Sequence, residues 1–454
     1  MYRRKQLIPR QRGEARPSPL ARHAFPGAQD RHLPIAIPRL VFAGLLTWAG
    51  VAAAEPLAAT DLTIAEALDV AVRDNPGLKS LRAKWEAMQE RPAQAGALPN
   101  PMFTYGGMDM ASGGDWPDTS EKRFMVQQQL PSFGKRGLRE GIVGKEAEAM
   151  QRELEAMTRE VVMRVKETYF DLRAIQRALV ITGDEGEVLR RMAKIAETMY
   201  ATGERPQQDV LKALTEVTML KQKLLELQAR EITLKARLNT LLNRRADAPL
   251  GAAVTPPESG PAGNREPLFE WAATNRPEVQ MAQAQVERYE LEKKLMAKEY
   301  IPDYQFGLEY RAVGDSDDMV MFTVGVDLPI WRSKYRAGVR EAERMAASSR
   351  ATLETAERES AFDVQDAHFK LMTARRTLDL YRTELIPQAE ARFSASEAGY
   401  RTGKVDFMDF LESERFLLEV KTMFAMTEGT VGMQAARLER AVGTALPGAE
   451  EKTR

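Results

Sequence analysis

Two stretches of the chain alternate apolar and polar positions with a period of two, the pattern of strands that have one apolar face. The clearer stretch runs over residues 303–328 and is divided by an acidic turn at 314–318. Its apolar positions are Tyr304, Phe306, Leu308, Tyr310, Val320, Phe322, Val324, Val326 and Leu328. A matching stretch at 102–130 has its turn at 113–115. The sequence predicts two β-hairpins, which either pack on a soluble core or, as we favour, belong to an outer-membrane barrel.

Almost all the rest of the chain is patterned for helices, because its apolar residues recur every three or four positions. Short helices are predicted over about 61–97, before the first hairpin. Long helices are predicted at about 136–201, 206–243, 333–401 and 406–442. The first long segment has a coiled-coil seam at Met150, Leu154, Met157, Val161, Val165, Leu172, Ile175 and Leu179. We expect this helix to break near Gly183 and Gly186, where the second half has Pro387 at nearly the same offset.

One segment of the chain occurs twice. From Tyr200 to Leu211 and again from Tyr400 to Leu411, tyrosine, glycine, aspartate and leucine recur in the same order, each 200 residues apart. A period this long indicates one duplicated half-molecule rather than a short solenoid repeat. The predicted organisation is a signal peptide at 1–54, a first repeat at 55–243, a linker at 244–266, a second repeat at 267–444 and a tail at 445–454.

The first 54 residues differ in composition from the rest. Nine basic residues stand against Glu14 and Asp30, and an apolar run from Leu40 ends in three alanines before Glu55. A basic region, an apolar region and small residues in this order predict a signal peptide, cleaved after Ala54. The sequence therefore predicts export from the cytoplasm.

Composition narrows the function classes further. The chain has no cysteine, which excludes disulfides, cysteine-based zinc sites and a lipid anchor on an N-terminal cysteine. After cleavage it would carry about seven more acidic than basic residues, so we expect no nucleic-acid partner. No nucleophile–base set, phosphate loop or metal-ligand spacing is evident, so we predict no enzyme, no cofactor and no bound metal. The 22 methionines are expected mostly to fill space on helical seams.

Four strands are too few to close a barrel, and an open sheet edge is not tolerated in lipid. Several copies must therefore share one barrel, and three copies would give about twelve strands. The long helices would extend that barrel as a tube, with the turns at 200–206 and 400–406 at its far end. The predicted fold is mainly α with a small β part, in which each chain adds four strands to a barrel shared by a few copies and long helices to a tunnel.

The chain resembles the TolC-type outer membrane factor family over about 62–444. The resemblance lies in the duplicated half, the hairpins and the two Tyr-x-Thr-Gly-x(5)-Asp-x-Leu turns. The Leu-Pro-Asn-Pro segment at 98–101 and the Pro-Ser-Phe-Gly-Lys-Arg-Gly segment at 131–137 resemble its heavy-metal efflux branch. The resemblance implies a passive homotrimeric channel in the outer membrane of a Gram-negative cell, extending into the periplasm. It also implies three partners: outer-membrane lipid, a periplasmic adaptor (membrane fusion) protein and an inner-membrane pump of the RND type.

The resemblance also assigns roles to residues at the tip. Asp409 and Glu412 match acidic positions that narrow the periplasmic aperture in the drug-efflux branch, where three copies would form a cation-favouring ring. Tyr400 and Asp209 match a hydrogen-bonded pair of the closed state, whereas Val405 stands where that branch has an arginine. Gly203 and Gly403 mark the turns that would dock the adaptor or pump. The alternative is that Asp209 and Asp409 only cap their helices.

Two other functions remain open from the sequence. An outer-membrane conduit for drug efflux or for type I protein secretion would have a similar tunnel, so the pump partner would decide between them. A periplasmic coiled-coil adaptor or scaffold would share the helices, but the alternation at 303–328 would then serve no purpose.

Overall fold

The computed structural model of the protein describes residues 61–108, 121–255, 266–314 and 317–446. In the first half it contains α1 (Ile64–Asp74), α2 (Pro76–Gln89), α3 (Arg91–Gly96), β1 (Met102–Met108), β2 (Glu121–Leu130), α4 (Lys135–Ala201) and α5 (Gln207–Leu241). The second half contains α6 (Glu266–Asn275), α7 (Pro277–Lys298), β3 (Asp303–Val313), β4 (Met319–Asp327), α8 (Arg332–Leu380), α9 (Ile386–Arg401) and α10 (Phe407–Val442). The predicted mainly helical fold with four strands is confirmed, and both halves follow the same order of elements. The predicted signal peptide, its cleavage after Ala54 and the first hairpin turn lie outside the described residues.

Local signals explain how the first helices begin. Thr63 caps α1 in a capping box, in which its hydroxyl accepts from the Glu66 N–H while the Glu66 carboxylate accepts from the Thr63 N–H. Asn75 ends α1 and caps α2 through its side-chain oxygen, and Pro76 fills the first position of α2. A proline is tolerated there because the N–H at that position needs no partner within the helix.

The four strands form one antiparallel sheet in the order β1-β2-β3-β4, so β2 and β3 join the two halves. Val126 pairs with Leu308 in the register, and Phe306 pairs with Val324. On this face Val126 is 46% exposed, Leu308 53% and Val324 54%, whereas Glu309 on the opposite face is 8% exposed. The predicted alternation is thus confirmed, and the apolar face points away from the protein.

The exit from β2 into α4 is built around a buried lysine. Gly134 has a φ of 86°, in the left-handed region that glycine enters without strain. Lys135 follows at 1% exposure. Its ammonium donates to Asp303 Oδ1 and to the Ile301 carbonyl, both at 2.9 Å, and lies 3.4 Å from Glu299 Oε2. This lysine therefore ties the start of α4 to the start of β3 in the other half.

The long helices pack as hairpins. In the first half α4 and α5 share a core that also covers α1. Four of the predicted seam residues, Val161, Val165, Leu172 and Ile175, are buried in that core, whereas Met157 is 40% exposed. In the second half α8 packs on α10 and α6 through a separate core. A third cluster joins α4, α5, the end of α9 and the start of α10, so it links the two hairpins near the repeated turns.

The predicted helix break near Gly183 and Gly186 is wrong. The helix α4 runs without interruption for 67 residues through Gly183 and Gly186. Glycine lowers helix stability by only about 1 kcal/mol, and Gly186 is buried where α4 meets Leu220 of α5. Near Pro387 the helix changes to a π-helical turn at Tyr381–Leu385, which joins α8 to α9. Proline has no N–H and clashes with the preceding turn, so it disturbs a helix more than glycine does.

The predicted linker at 244–266 is partly integrated into the first half. Ala253 forms a parallel bridge with Leu62. The hydroxyl oxygen of buried Tyr169 lies 2.8 Å from the Leu62 carbonyl oxygen and 2.7 Å from that of Val254, so its one proton can be donated to either. Residues 256–265 lie outside the described ranges. The described part of this segment therefore packs against the core formed by α1, α4 and α5.

Candidate functional site

The two repeated turns share one backbone conformation. Gly203 and Gly403 have φ values of 78° and 74°. The N–H of each glycine donates to the carbonyl of the tyrosine three residues earlier, at 3.0 Å in the first turn and 3.1 Å in the second. The next N–H donates to the carbonyl five residues earlier, at 2.9 Å in both turns. This is the Schellman motif, which needs a left-handed residue after the helix and explains both glycines.

The two tyrosines of the repeat lie in different surroundings. Tyr200 is 47% exposed, whereas Tyr400 is fully buried. The Tyr400 ring stacks on Phe410 with centroids 5.3 Å apart and meets Phe407 edge-on at 5.5 Å. The Arg205 guanidinium covers the same ring at 5.1 Å from its centroid. The second turn is therefore anchored by an aromatic cluster that a residue of the first turn covers.

Tyr400 and Asp209, the predicted closed-state pair, lie close together within one chain. Asp209 is 6% exposed. Burial, followed by the charge of Asp209, raises the pKa of Tyr400 to about 12. The Tyr400 hydroxyl is one of the buried polar atoms that have no partner of standard hydrogen-bond geometry among the described residues. The structure thus brings the Tyr400 hydroxyl and the Asp209 carboxylate close together, but their geometry is not that of a standard hydrogen bond.

The capping role considered for Asp209 and Asp409 is wrong. Asp406 is the cap of α10, and its side chain accepts from the Asp409 N–H at 2.9 Å. The helix α5 begins after Pro206 without any side-chain cap. Asp209 and Asp409 are each the third residue of their helix, where a negative charge interacts favourably with the helix dipole.

The two predicted aperture residues are both exposed, and they differ in their partners. Asp409 and Glu412 lie on the first two turns of α10. Glu412 pairs with Arg392 of α9, with 2.9 Å between Nη2 and Oε1. That arginine offsets part of the negative charge at the Glu412 position. Asp409 therefore has the less compensated charge of the two.

Sequence reasoning missed Arg205. Its Nη2 donates to the Val405 carbonyl at 3.0 Å, so it bridges the two turns and covers Tyr400 at the same time. The signal was present in the repeat, because Arg205 and Val405 both stand two residues after the turn glycine. Arginine occupies this place in the first repeat and valine in the second. Residue 405 is thus not an arginine, but the matching residue of the first repeat, Arg205, is.

The face of the sheet opposite the apolar one is polar and charged. Arg311 lies 3.0 Å from both Glu121 and Glu309. Met125 and Met321 flank Glu309 in the strand register. The sheet therefore has one apolar and one charged face.

Within the described residues we find no group of three or more His, Cys, Asp or Glu side chains arranged to hold a metal ion. None of the helices in the described ranges is both long enough and apolar enough to cross a membrane.

Comparisons with known proteins agree with this geometry. The family model described as outer membrane efflux protein matches residues 67–244 and 268–444. The cobalt-zinc-cadmium resistance protein CzcC of Cupriavidus metallidurans is 21% identical over 392 residues, which cover 85% of this chain and 91% of CzcC. The solved outer-membrane channel OprN superposes with a TM-score of 0.73 at 17% identity, covering 84% of this chain and 90% of OprN. CusC, described in terms of transmembrane channel formation, also gives 0.73, at 15% identity and with 86% and 94% coverage.

The family model covers most of the chain, and the solved neighbours share the fold of hairpins and long helices. The fold is that of channel proteins rather than of enzymes. The chain therefore belongs to the outer membrane efflux protein family.

Proposed function

We propose that the protein is the outer-membrane channel of a tripartite efflux system, acting as a passive homotrimeric conduit. The observation that carries this proposal is the sheet, whose apolar face is exposed while its other face carries ion pairs. The apolar face is suited to contact with lipid, and the charged face is suited to a water-filled lumen. In this proposal the signal peptide directs export, the sheet lies in the outer membrane of a Gram-negative cell, and the helices extend into the periplasm.

Exposed apolar residues on the helices support assembly of several copies. On α5 these residues are Leu211, Leu214, Leu225 and Ile232, all more than half exposed. On α8 they include Phe362 at 68% and Phe369 at 50%, seven residues apart. A heptad spacing of exposed apolar residues is typical of a coiled-coil seam that lacks its partner. A neighbouring copy would cover these stripes and also pair with the edge strands β1 and β4.

At the periplasmic end, the proposed gate consists of Asp409 and Glu412, with Tyr400 and Asp209 holding the two hairpins together. In the trimer, three copies of the two acids would face the aperture and favour cations. The Arg392–Glu412 pair and the bridge from Arg205 to Val405 are further contacts that would change when the hairpins separate.

The docking site for the adaptor and the RND-type pump is proposed at the turns around Gly203 and Gly403. An open groove of about 590 Å³ lies beside them, between α4 and α9. Its lining includes Met192, Phe393 and Arg401. A groove with an apolar floor and charged edges suits a helical hairpin of a partner protein.

Heavy-metal cations are the proposed substrates. The support comes from CzcC, which is described as a cobalt-zinc-cadmium resistance protein, and from the acids at the proposed aperture. A deletion strain complemented with this gene should regain resistance to cobalt, zinc or cadmium salts. Restored resistance to hydrophobic drugs alone would favour the drug-efflux alternative instead.

Single-channel conductance in planar bilayers tests the conduit and the gate together. The wild type should give a small, cation-selective conductance that grows in Asp409→Ala/Glu412→Ala. Glu197→Ala is the matched control, because Glu197 is an exposed acid of α4 whose salt bridge, among the described residues, is with Lys194 on its own helix. A large conductance that is unchanged in the double variant would remove the gate assignment. The absence of any conductance from folded protein would refute the channel.

A further inference from the structure

A buried glutamate interrupts the apolar seam of α10. Phe407, Phe410 and Leu417 are buried at seam spacing, and Glu414 takes the position between the last two. Glu414 is 1% exposed, and within the described part of the chain neither of its carboxylate oxygens has a hydrogen-bond partner. A buried carboxylate without hydrogen-bond partners is strongly disfavoured in its charged form.

The other two helices at this level also bring carboxylates. Glu185 of α4 is 6% exposed and Glu216 of α5 is 9% exposed. Burial, followed by the charges of Glu185 and Glu216, raises the pKa of Glu414 to about 8, against the opposing effect of Arg415. Three helices thus direct acids towards one buried point, where ionisation of all three brings like charges together.

Two of the nearby cations, Arg415 and Lys421, already have carboxylate partners. Arg415 binds both carboxylate oxygens of Glu216, with 2.9 Å between Nε and Oε1. Lys421 lies 3.5 Å from Glu390 of α9. The cluster is therefore left with more negative than positive charge whenever Glu414 is ionised.

The charges around Glu185 do not remove this excess. Burial is the main cause that raises the pKa of Glu185, and Asp184 adds to the effect. Lys421 and Arg191 oppose it. The three glutamates do not form a metal-binding group by geometry, so the proton is the ligand that fits the site.

We propose that Glu414 is a proton-binding latch between the α4–α5 hairpin and α10. With the proton bound, the neutral carboxyl completes the seam and α10 stays packed on α4 and α5. When the proton leaves to solvent, the new carboxylate faces Glu185 and Glu216, and their repulsion pushes α10 away from the other hairpin. The gating consequence rests on the proposed channel function, whereas the movement itself does not.

The position of the latch connects it to the tip. Glu414 lies about 10 Å along α10 from its first residue, at ~1.5 Å per residue. Asp409 and Glu412 lie on the stretch in between, so a displacement of α10 at Glu414 moves both acids. The contacts that cross between the hairpins nearby are Arg415 with Glu216 and, at the turn, Arg205 with Val405.

The test measures the separation of the hairpins directly. Because the chain has no cysteine, spin labels can be placed at Thr215→Cys on α5 and Met423→Cys on α10 of the full-length protein without background. The distance between them, measured by pulsed electron resonance from pH 6 to pH 10, should increase with a midpoint near pH 8. Glu414→Gln, which is neutral at every pH and close in shape, should keep the short distance throughout. Glu419→Gln, on an exposed position of the same helix, should respond as the wild type does.

The outcomes separate the latch from the channel. A distance that does not change with pH in the wild type, or that changes equally in Glu414→Gln, would overturn the latch. A change that is lost in Glu414→Gln supports it. Conductance measured on the same variants should rise over the same pH range only where the distance rises. If the distances respond while no variant conducts, the latch stands and the proposed channel function fails.

Discussion

Replacing Arg205 with alanine should open the tip of the molecule. Arg205 crosses from the first turn to the second, where it donates to the Val405 carbonyl at 3.0 Å and covers the Tyr400 ring at 5.1 Å. A hydrogen bond that involves a charged group contributes about 1.5–3 kcal/mol, and a cation–π contact at a half-exposed site about 0.5–1 kcal/mol. Since the side chain is only partly buried, we take about 2–3 kcal/mol for both contacts together.

The loss of 2–3 kcal/mol from the packed arrangement shifts the equilibrium between packed and separated hairpins by about 30- to 150-fold. Single-channel recording should show this as a higher open probability for Arg205→Ala at neutral pH. Arg205→Lys should lie between the wild type and the alanine variant, because it keeps the charge but loses the planar group that covers the ring.

Arg401→Ala is the matched control for this experiment. Arg401 lies at the same tip, and the salt bridge it makes is with Glu397, four residues away on its own helix. Such an exposed pair contributes about 0.3–0.5 kcal/mol and does not cross between hairpins. Equal opening by Arg401→Ala and Arg205→Ala, or no opening by Arg205→Ala in folded protein, would refute the reasoning.

Three further results are expected. Lys135→Met should lower the melting temperature in detergent, because it leaves the partly buried Asp303 without its cation at a cost of about 3 kcal/mol. The exposed Lys334 of the second half should tolerate the same change. The free energy of unfolding should fall by about 1.4 kcal/mol per pH unit between pH 4.5 and 8, because folded Glu414 keeps a proton that the unfolded chain releases. Chemical denaturation of Glu414→Gln should show a weaker dependence of this free energy on pH. Val324→Arg places a charge on the exposed apolar face and should disfavour membrane insertion by about 2–4 kcal/mol. Gels of membrane fractions should therefore show less assembled protein for Val324→Arg, whereas Thr323→Arg, on the other face, should assemble normally.

Much of the fold follows from short-range patterns. The hairpins were located within a few residues because alternation, the acidic turn and the prolines act on neighbouring positions. The long helices end close to their predicted limits because Gly203 and Gly403 require a left-handed residue after the helix. Continuity of α4 through Gly183 was missed, since a glycine only weakens a helix and the packing of neighbouring helices decides whether it breaks.

The site was less accessible to sequence reasoning, because its contacts cross between the halves. Asp209 and Tyr400 could be named from a family resemblance, and the structure places them side by side. Arg205 was overlooked because its role depends on where its side chain reaches, 200 residues away in sequence. Glu414 could be noticed in the sequence as an acid at an apolar seam position, but the acids that face it lie on two other helices.

The π-helical turn at Tyr381–Leu385 lies where the second half of the chain is one residue longer than the first. Tyr169 and His368 correspond at an offset of 199 residues, whereas Gly203 and Gly403 correspond at an offset of 200. One residue was therefore inserted in the second half, or lost from the first, between these two landmarks. Inside a regular α-helix one extra residue would rotate everything beyond it by about 100°. A π turn absorbs a single extra residue within one wide turn, so Leu371 before it and Ala389 after it are both buried. The duplicated arms could thus differ in length by one residue while the later part of the second arm kept its contacts with α10.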